Sequence, residues 1–372
     1  MNTIKVKHAR EYILFFLIFL NIFSFINRFI FDLYMNWALW GNLIFILFIY
    51  FLQNSISKYD LINILFLFLF LFYLVFTIFV TGRGLNDVVL LINSILIFFV
   101  ISKENLSFSI LKKIFVLSLF MFVFLIVRSI NYLEFYRLYS DNYINPNNIG
   151  YLIFITSLYI NILGNIYINK FLKIKLLIIN MLTVFGLYNV HSRSSLIGFL
   201  FFIILNYVLH KKIWKTKLFT IILYILIIIF GFLFPYTYSK FFVNYNIRLL
   251  SGRGLIWANF FREYTMSLKS IMFGIREGVS FFYKKLSLHN SYLNIMKSFG
   301  VGGYFLYFLY FMLIIKESFN RKLSDIQISF LLGFFSIMIV GFVEINVYSF
   351  RLALINFLFI AQVLNSNLSH NL

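Results

Sequence analysis

The sequence predicts an all-α polytopic membrane protein of about 12 transmembrane helices with one long loop on the outer side. Three observations carry this. Hydrophobic residues make up 62% of the chain and mean hydropathy is +0.93, against roughly 45–50% apolar residues in soluble domains. Apolar runs near the roughly 20 residues needed to cross a bilayer recur along the chain, bounded by charge. Lysine gathers in alternate short connections, as the positive-inside rule requires. The 53 Phe among 372 residues supply more apolar surface than one soluble core covers, so lipid must cover part of it. Cysteine is absent, which excludes a disulfide framework, a thiolate metal site and a thiol nucleophile.

The segments follow in order. Tyr12–Phe31 lies behind Lys5, Lys7 and Arg10, and no small-residue cleavage site follows it, so it reads as a retained helix. Trp37–Gln53 comes next, then Leu61–Val80 behind Lys58, and a shorter Val88–Ile101 closed by Lys103. Ile110–Arg128 carries Lys112 and Lys113 at its start. Asn148–Asn165 opens from an Asn145-Pro146-Asn147 turn. A shorter Leu176–Asn189 follows Lys170, Lys173 and Lys175, and Ser194–His210 follows that. Leu218–Pro235 lies behind Lys211, Lys212, Lys215 and Lys217. Ser291–Ile315, Ile326–Val343 and the shorter Phe350–Leu364 complete the series, with Lys316, Arg321 and Lys322 between the first two. These runs are continuously apolar and do not alternate, which excludes barrel strands, and helices satisfy the backbone in lipid. With the N-terminus in the cytoplasm the lysine-rich connections are inside, and so is the C-terminus. The chain reads as a single integral membrane domain over 1–372, with 236–290 as the long loop between the ninth and tenth helices.

Arginine is distributed differently. Arg28, Arg83, Arg128, Arg137, Arg193, Arg248, Arg253, Arg262, Arg276 and Arg351 all fall on the outer side. A guanidinium gives bidentate, permanently charged contacts to phosphate oxygens, so this sorting points to a phosphorylated ligand. The long loop is basic, carrying Lys240, Arg248, Arg253, Arg262, Lys269, Arg276, Lys284 and Lys285 against Glu263 and Glu277. Its partner is anionic, and membrane lipid head groups fit as well as a soluble anion. Nucleic acid is excluded as a partner, since no recognition-helix or zinc-finger pattern occurs.

Three clusters carry candidate chemistry. They are His191-Ser192-Arg193-Ser194-Ser195; Ser251-Gly252-Arg253-Gly254-Leu255-Ile256-Trp257 followed by Phe273-Gly274-Ile275; and His289-Asn290-Ser291-Tyr292-Leu293 running to Phe299-Gly300-Val301-Gly302-Gly303. No Asp-x-Asp metal motif occurs, so neutralising a departing phosphate falls to protein cations. A neutral His289 at a helix mouth suits proton abstraction from a hydroxyl, and Glu344 is a second candidate base or an arginine partner. Each residue has a plainer reading: Arg193 as a snorkelling helix-end cation, Arg253 as a solvated loop charge, His289 as a capping residue. The glycines after Phe299 permit either a bend that separates a short entry helix from a spanning portion, or close helix packing.

In this order, over roughly residues 145–303, the clusters resemble those of the O-antigen polymerase and ligase superfamily of integral membrane glycosyltransferases. Outside that stretch only helix number and hydropathy agree. The resemblance implies a GT-C-like architecture whose long loop is periplasmic, in a bacterial inner membrane. It implies a polyprenyl-diphosphate-linked oligosaccharide donor, with Arg193 and Arg253 at the diphosphate-binding positions and His289 at the position of the base. Arg248, Arg276, His191, Asn290 and Glu344 are the further candidate contacts to diphosphate and glycan. Transfer would be metal-independent and inverting, without a cofactor, alongside a flippase and a chain-length regulator of the same pathway. Polymerase is the favoured activity, joining the growing glycan to a lipid-linked repeat unit. The alternative within the family is the ligase, which transfers the glycan to lipid A core of lipopolysaccharide. A lipid-linked oligosaccharide flippase or transporter is the alternative of another class. Against it, the arginines gather at helix ends and the chain shows no related halves.

Overall fold

The computed structural model describes residues 11–18, 58–82, 95, 98–99, 101–102, 105–130, 146–167, 172–209, 211–242, 252–275, 288–344 and 350–368, and these are helical with short connections. The helices are α1 (Lys58–Thr81), α2 (Phe108–Ile130), α3 (Pro146–Tyr167), α4 (Leu172–Asn189), α5 (Arg193–Ile203), α6 (Lys211–Trp214), α7 (Lys217–Thr237), α8 (Arg253–Thr265), α9 (Leu268–Phe273), α10 (Ser291–Ser318), α11 (Asp325–Val340) and α12 (Phe350–Val363). Single π-helical stretches, Ile204–Val208 and Tyr238–Phe242, extend α5 and α7.

Among the described residues five helices are long and apolar enough to cross a membrane: Ile64–Thr81, Phe108–Ile130, Asn147–Tyr167, Lys217–Phe241 and Ser291–Ser318. The chain is thus a multi-pass α-helical membrane protein, and the expectation of about twelve spans with a GT-C-like architecture is corrected. The physical reason is that a long apolar run need not be a crossing. Arg193–Val208, Asp325–Val340 and Leu354–Val363 are apolar but shorter. The 16 residues of α11 reach only about 24 Å, less than a hydrocarbon core of about 30 Å. α11 is apolar because protein surrounds it, and nearly all of its residues are buried. The expected spans at 37–53, and most of those at 12–31 and 88–101, lie outside the described residues.

α3 is the centre of the bundle, with 89% of its spanning window buried. It packs on α12, where the Tyr151 hydroxyl donates to Asn356 Oδ1 at 2.6 Å and the Tyr159 hydroxyl to the Ile355 carbonyl at 2.9 Å. Such bonds matter more to register than to net stability, since an unmade one would strand a buried polar group. α11 starts with a capping box, Ser324 and Gln327 exchanging side-chain and backbone bonds. α5 runs antiparallel to α11. Gly198 lies against Val340 and Ser336, and Asn206 accepts from Ser329 further along. Arg193 at the start of α5 therefore comes to the same end of the bundle as Glu344, just past α11.

α10 is broken at Gly300, whose backbone is at φ 65, ψ −168. In a straight helix Tyr292 and Phe308 would stand about 24 Å apart along the axis, yet their rings stack with centroids 5.2 Å apart. Residues 291–299 thus fold back on 301–318 as a separate short helix. The break frees carbonyls that the helical ladder would otherwise pair, and neighbours take them up. The Ile275 amide donates to Lys297 O at 2.9 Å, and the Tyr73 hydroxyl of α1 lies 2.8 Å from Phe299 O and 2.6 Å from Met272 O. Only glycine fits at 300: a Cβ there would collide with the Met272 carbonyl and the Phe273 amide.

Candidate functional site

Three polar side chains from distant parts of the chain meet where α8 and α10 begin and α11 has ended. Gly252, at φ 77, turns the backbone into the first residue of α8, a left-handed conformation that glycine adopts without steric penalty. That places Arg253, whose Nη2 donates to Glu344 Oε1 at 2.9 Å, with 16% and 11% of the two side chains exposed. Burial pushes the Glu344 carboxyl above its usual range, and the Arg253 charge and hydrogen bond act against that rise. Burial likewise lowers His289, and the nearby Arg253 cation lowers it further. The imidazole is thus biased toward its neutral form, beside a cation that is held by a carboxylate.

The backbone around this group is fixed by residues next to it. Fully buried Asn290 caps the short helix 291–299 by accepting from the Leu293 amide at 2.7 Å, while its Nδ2 donates to Phe342 O at 2.6 Å and lies 3.4 Å from Gly231 O of α7. The Ser291 hydroxyl donates to Glu344 O at 2.7 Å and the Ser291 amide to Gly341 O at 2.8 Å. The His289-Asn290-Ser291 tripeptide thus clasps the turn that presents Glu344. On the other side the buried Trp257 indole, one helical turn past Arg253, donates to Leu288 O at 2.8 Å. A satellite core of Tyr238, Ile256, Trp257, Phe260, Leu288, Leu293 and Met296 closes beneath.

Both candidate histidines stand in left-handed backbone, His191 at φ 53 and His289 at φ 48, and they are the only non-glycine residues with positive φ among those described. Each immediately precedes the capping residue of a helix, Ser192 for α5 and Asn290 for α10. Such geometry costs on the order of 1–3 kcal/mol per residue and persists where surrounding contacts impose it. At 289 the bonds to Leu288 and Asn290 impose it. At 191 the clamp is Ser192, packed against Gly150 of α3 and bonded to Ser195 Oγ at 3.0 Å.

Of the residues singled out by sequence, the structure brings Arg253, His289 and Glu344 together. Asn290 joins them as a cap and staple whose amide is engaged by the protein. Arg193 and His191 are exposed at the same end of the bundle, on α5 and its approach, and no described ion pair engages Arg193. Arg248 and Arg276 lie outside the described residues. Trp257 and Ser291 lie within the sequence motifs, which assign them no role, and Tyr73 lies outside them. The four-residue step from Arg253 to Trp257, which puts both on one helix face, was the available signal for Trp257. No comparable pattern marks Tyr73.

The fold and this site define a multi-pass helical membrane protein with an arginine–glutamate pair and a half-buried histidine at one end of its bundle. No family model, curated protein or solved structure matches the chain.

Proposed function

We propose that the protein is a surface-polysaccharide polymerase of a bacterial inner membrane, with both termini cytoplasmic. It would transfer a polyprenyl-diphosphate-linked glycan onto a lipid-linked repeat unit. The observation that carries this reading is the Arg253–Glu344 pair beside a deprotonation-biased His289. Glu344 engages one side of the guanidinium, holding Arg253 in a single orientation while other N–H groups address diphosphate oxygens. The acceptor hydroxyl gives its proton to His289 as its oxygen bonds to the donor sugar C1. The C1–O bond to the diphosphate breaks, and the electron pair leaves with polyprenyl diphosphate. A single displacement of this kind inverts C1. Arg253 stabilises the charge that grows on the leaving group. Exposed Arg193, at the same end of the bundle, would contact a second anionic group of donor or acceptor.

The test is the glycan banding pattern of cells lacking the chain, complemented with wild type, Arg253→Ala or His289→Ala at matched membrane abundance. A deletion that leaves one repeat unit on lipid A core supports the polymerase, and loss of polymer in both variants supports the site. Polymer retained on polyprenyl diphosphate with none on core would make the protein a ligase. Unchanged glycans would refute both.

A further inference from the structure

The sequence presents residues 253–275 as part of a loop in water, but their neighbours are the flanks of spanning helices. The Phe273 ring lies against Tyr73 and Phe76 of α1, at 6.1 and 5.4 Å, and the Tyr73 hydroxyl reaches Met272 O. From Tyr73, α1 runs on to Thr81, about 12 Å of further helix, within the apolar window Ile64–Thr81. The end of α9 is therefore set well inside the limit of a spanning helix.

α8 packs on the last turns of α7. Its Phe261 ring meets Phe232 and Tyr236, at 5.7 and 5.2 Å, and its Trp257 ring meets Phe234 and Tyr238, both at 6.0 Å. Two positions one turn apart on α8 thus contact the same short stretch of α7. That is how a helix lying across another packs. The contacted stretch belongs to the apolar span Lys217–Phe241.

The surface that α8 and α9 leave uncovered at their turn mixes large apolar side chains with exposed Thr265, Ser267 and Lys269, the last of which can carry its ammonium toward the interface on its apolar stem. Met266 is 67% exposed, Leu268 76% and Met272 42%. Exposed Arg262 stands on α8 one turn before this edge. Large apolar side chains at that depth face hydrocarbon and not water.

We propose that residues 253–275 form a re-entrant unit in one leaflet, α8 lying across α7 near the membrane interface and Met266, Leu268 and Met272 contacting acyl chains. Arg253 and the site it helps to build then open at headgroup depth and face the bilayer laterally. The inference rests on packing alone and stands whether or not the protein transfers sugars. The chain has no native cysteine, so single spin labels can be placed at Leu268→Cys, Met266→Cys and Arg262→Cys in full-length protein reconstituted into phosphatidylethanolamine–phosphatidylglycerol vesicles. Collisions with lipid-soluble oxygen and with a water-soluble nickel chelate are then compared. The oxygen-to-nickel ratio is expected to be several-fold higher at 268 than at 262. Met266→Cys decides if Leu268→Cys does not insert. A ratio at that position equal to or below the one at 262 overturns the proposal.

Discussion

Removing either partner of the Arg253–Glu344 pair should destabilise the protein, and removing both should restore most of the loss. With side chains only 16% and 11% exposed, the pair sits between a surface bridge worth under about 1 kcal/mol and a buried one whose breaking costs about 3–5 kcal/mol. About 3 kcal/mol is a fair expectation for Arg253→Met or Glu344→Leu alone, most of it from the charge left behind. An unfolding entropy of about 2.1 cal/mol/K per residue gives about 0.8 kcal/mol/K for this chain, so each single variant should melt about 4 °C lower. The double variant leaves no unpaired charge and should melt within about 1 °C of wild type, so that the two single losses largely cancel instead of adding. Thermal unfolding of purified protein in one detergent, followed by intrinsic fluorescence, measures all four corners of the cycle. If the two single losses simply add, the pair contributes no coupling and the clasp between α8 and the end of α11 is not what holds this end of the bundle.

His289 is biased toward the neutral form, so protonating it opposes folding. Its contribution to stability is complete above its ordinary pKa of 6.5 and is lost as pH falls through its lowered folded value. Wild-type melting temperature should therefore drop more steeply than that of His289→Gln as pH falls from 6.5 through the lowered folded value, and the acid limb of the proposed transfer should have its midpoint below 6.5. A midpoint above 6.5 would contradict the burial. Gly300→Ala and Gly252→Ala both place a side chain at positive φ, costing about 1–2 kcal/mol, but only at 300 does the new Cβ strike backbone. Gly252→Ala should persist in membranes with a modest loss of stability, whereas Gly300→Ala should be depleted, as quantitative blotting of membrane fractions will show. Asn290→Ala removes a helix cap, about 1 kcal/mol, and leaves the buried Phe342 carbonyl unpaired, about 1–3 kcal/mol more. Asn290→Ser retains the cap and should recover roughly the first of these in thermal melts.

Helical segments were legible in the sequence because lipid and buried protein demand the same apolar residues. For the same reason their number overstated the crossings. α11 and α1 are both continuously apolar, yet protein buries nearly all of α11 while much of α1 is exposed at Leu65, Phe68, Leu69, Phe72 and Phe79. Hydropathy does not distinguish these two surroundings. The site residues were legible because their types are informative: a histidine two residues before a helix, an arginine after a Gly turn, a carboxylate at the end of an apolar run. Their meeting was not, since the Arg253–Glu344 contact joins positions 91 apart through a fold-back that depends on Gly300. Asn290 illustrates the limit from the other side. It lies within the motif as a candidate ligand, and only the positions of Phe342 and Gly231 show that its amide is engaged by the protein.

The fold-back at Gly300 also orders events during synthesis. Residues 291–318 leave the ribosome as one apolar stretch of 28 residues, and the insertion machinery meets them before the groups that reverse the first turns exist. Gly231 and Tyr73 are already in place, but Met338, Gly341, Phe342 and Glu344, which bind Tyr292, Ser291 and Asn290, emerge only later. The short helix can adopt its final place only when α11 has entered the membrane, and Arg253 has no carboxylate partner until then. Assembly of this end of the bundle is thus a late step in biogenesis, and a chain truncated before α11 would hold both arginine-bearing helix starts, at Arg193 and Arg253, without the carboxylate that pairs with Arg253.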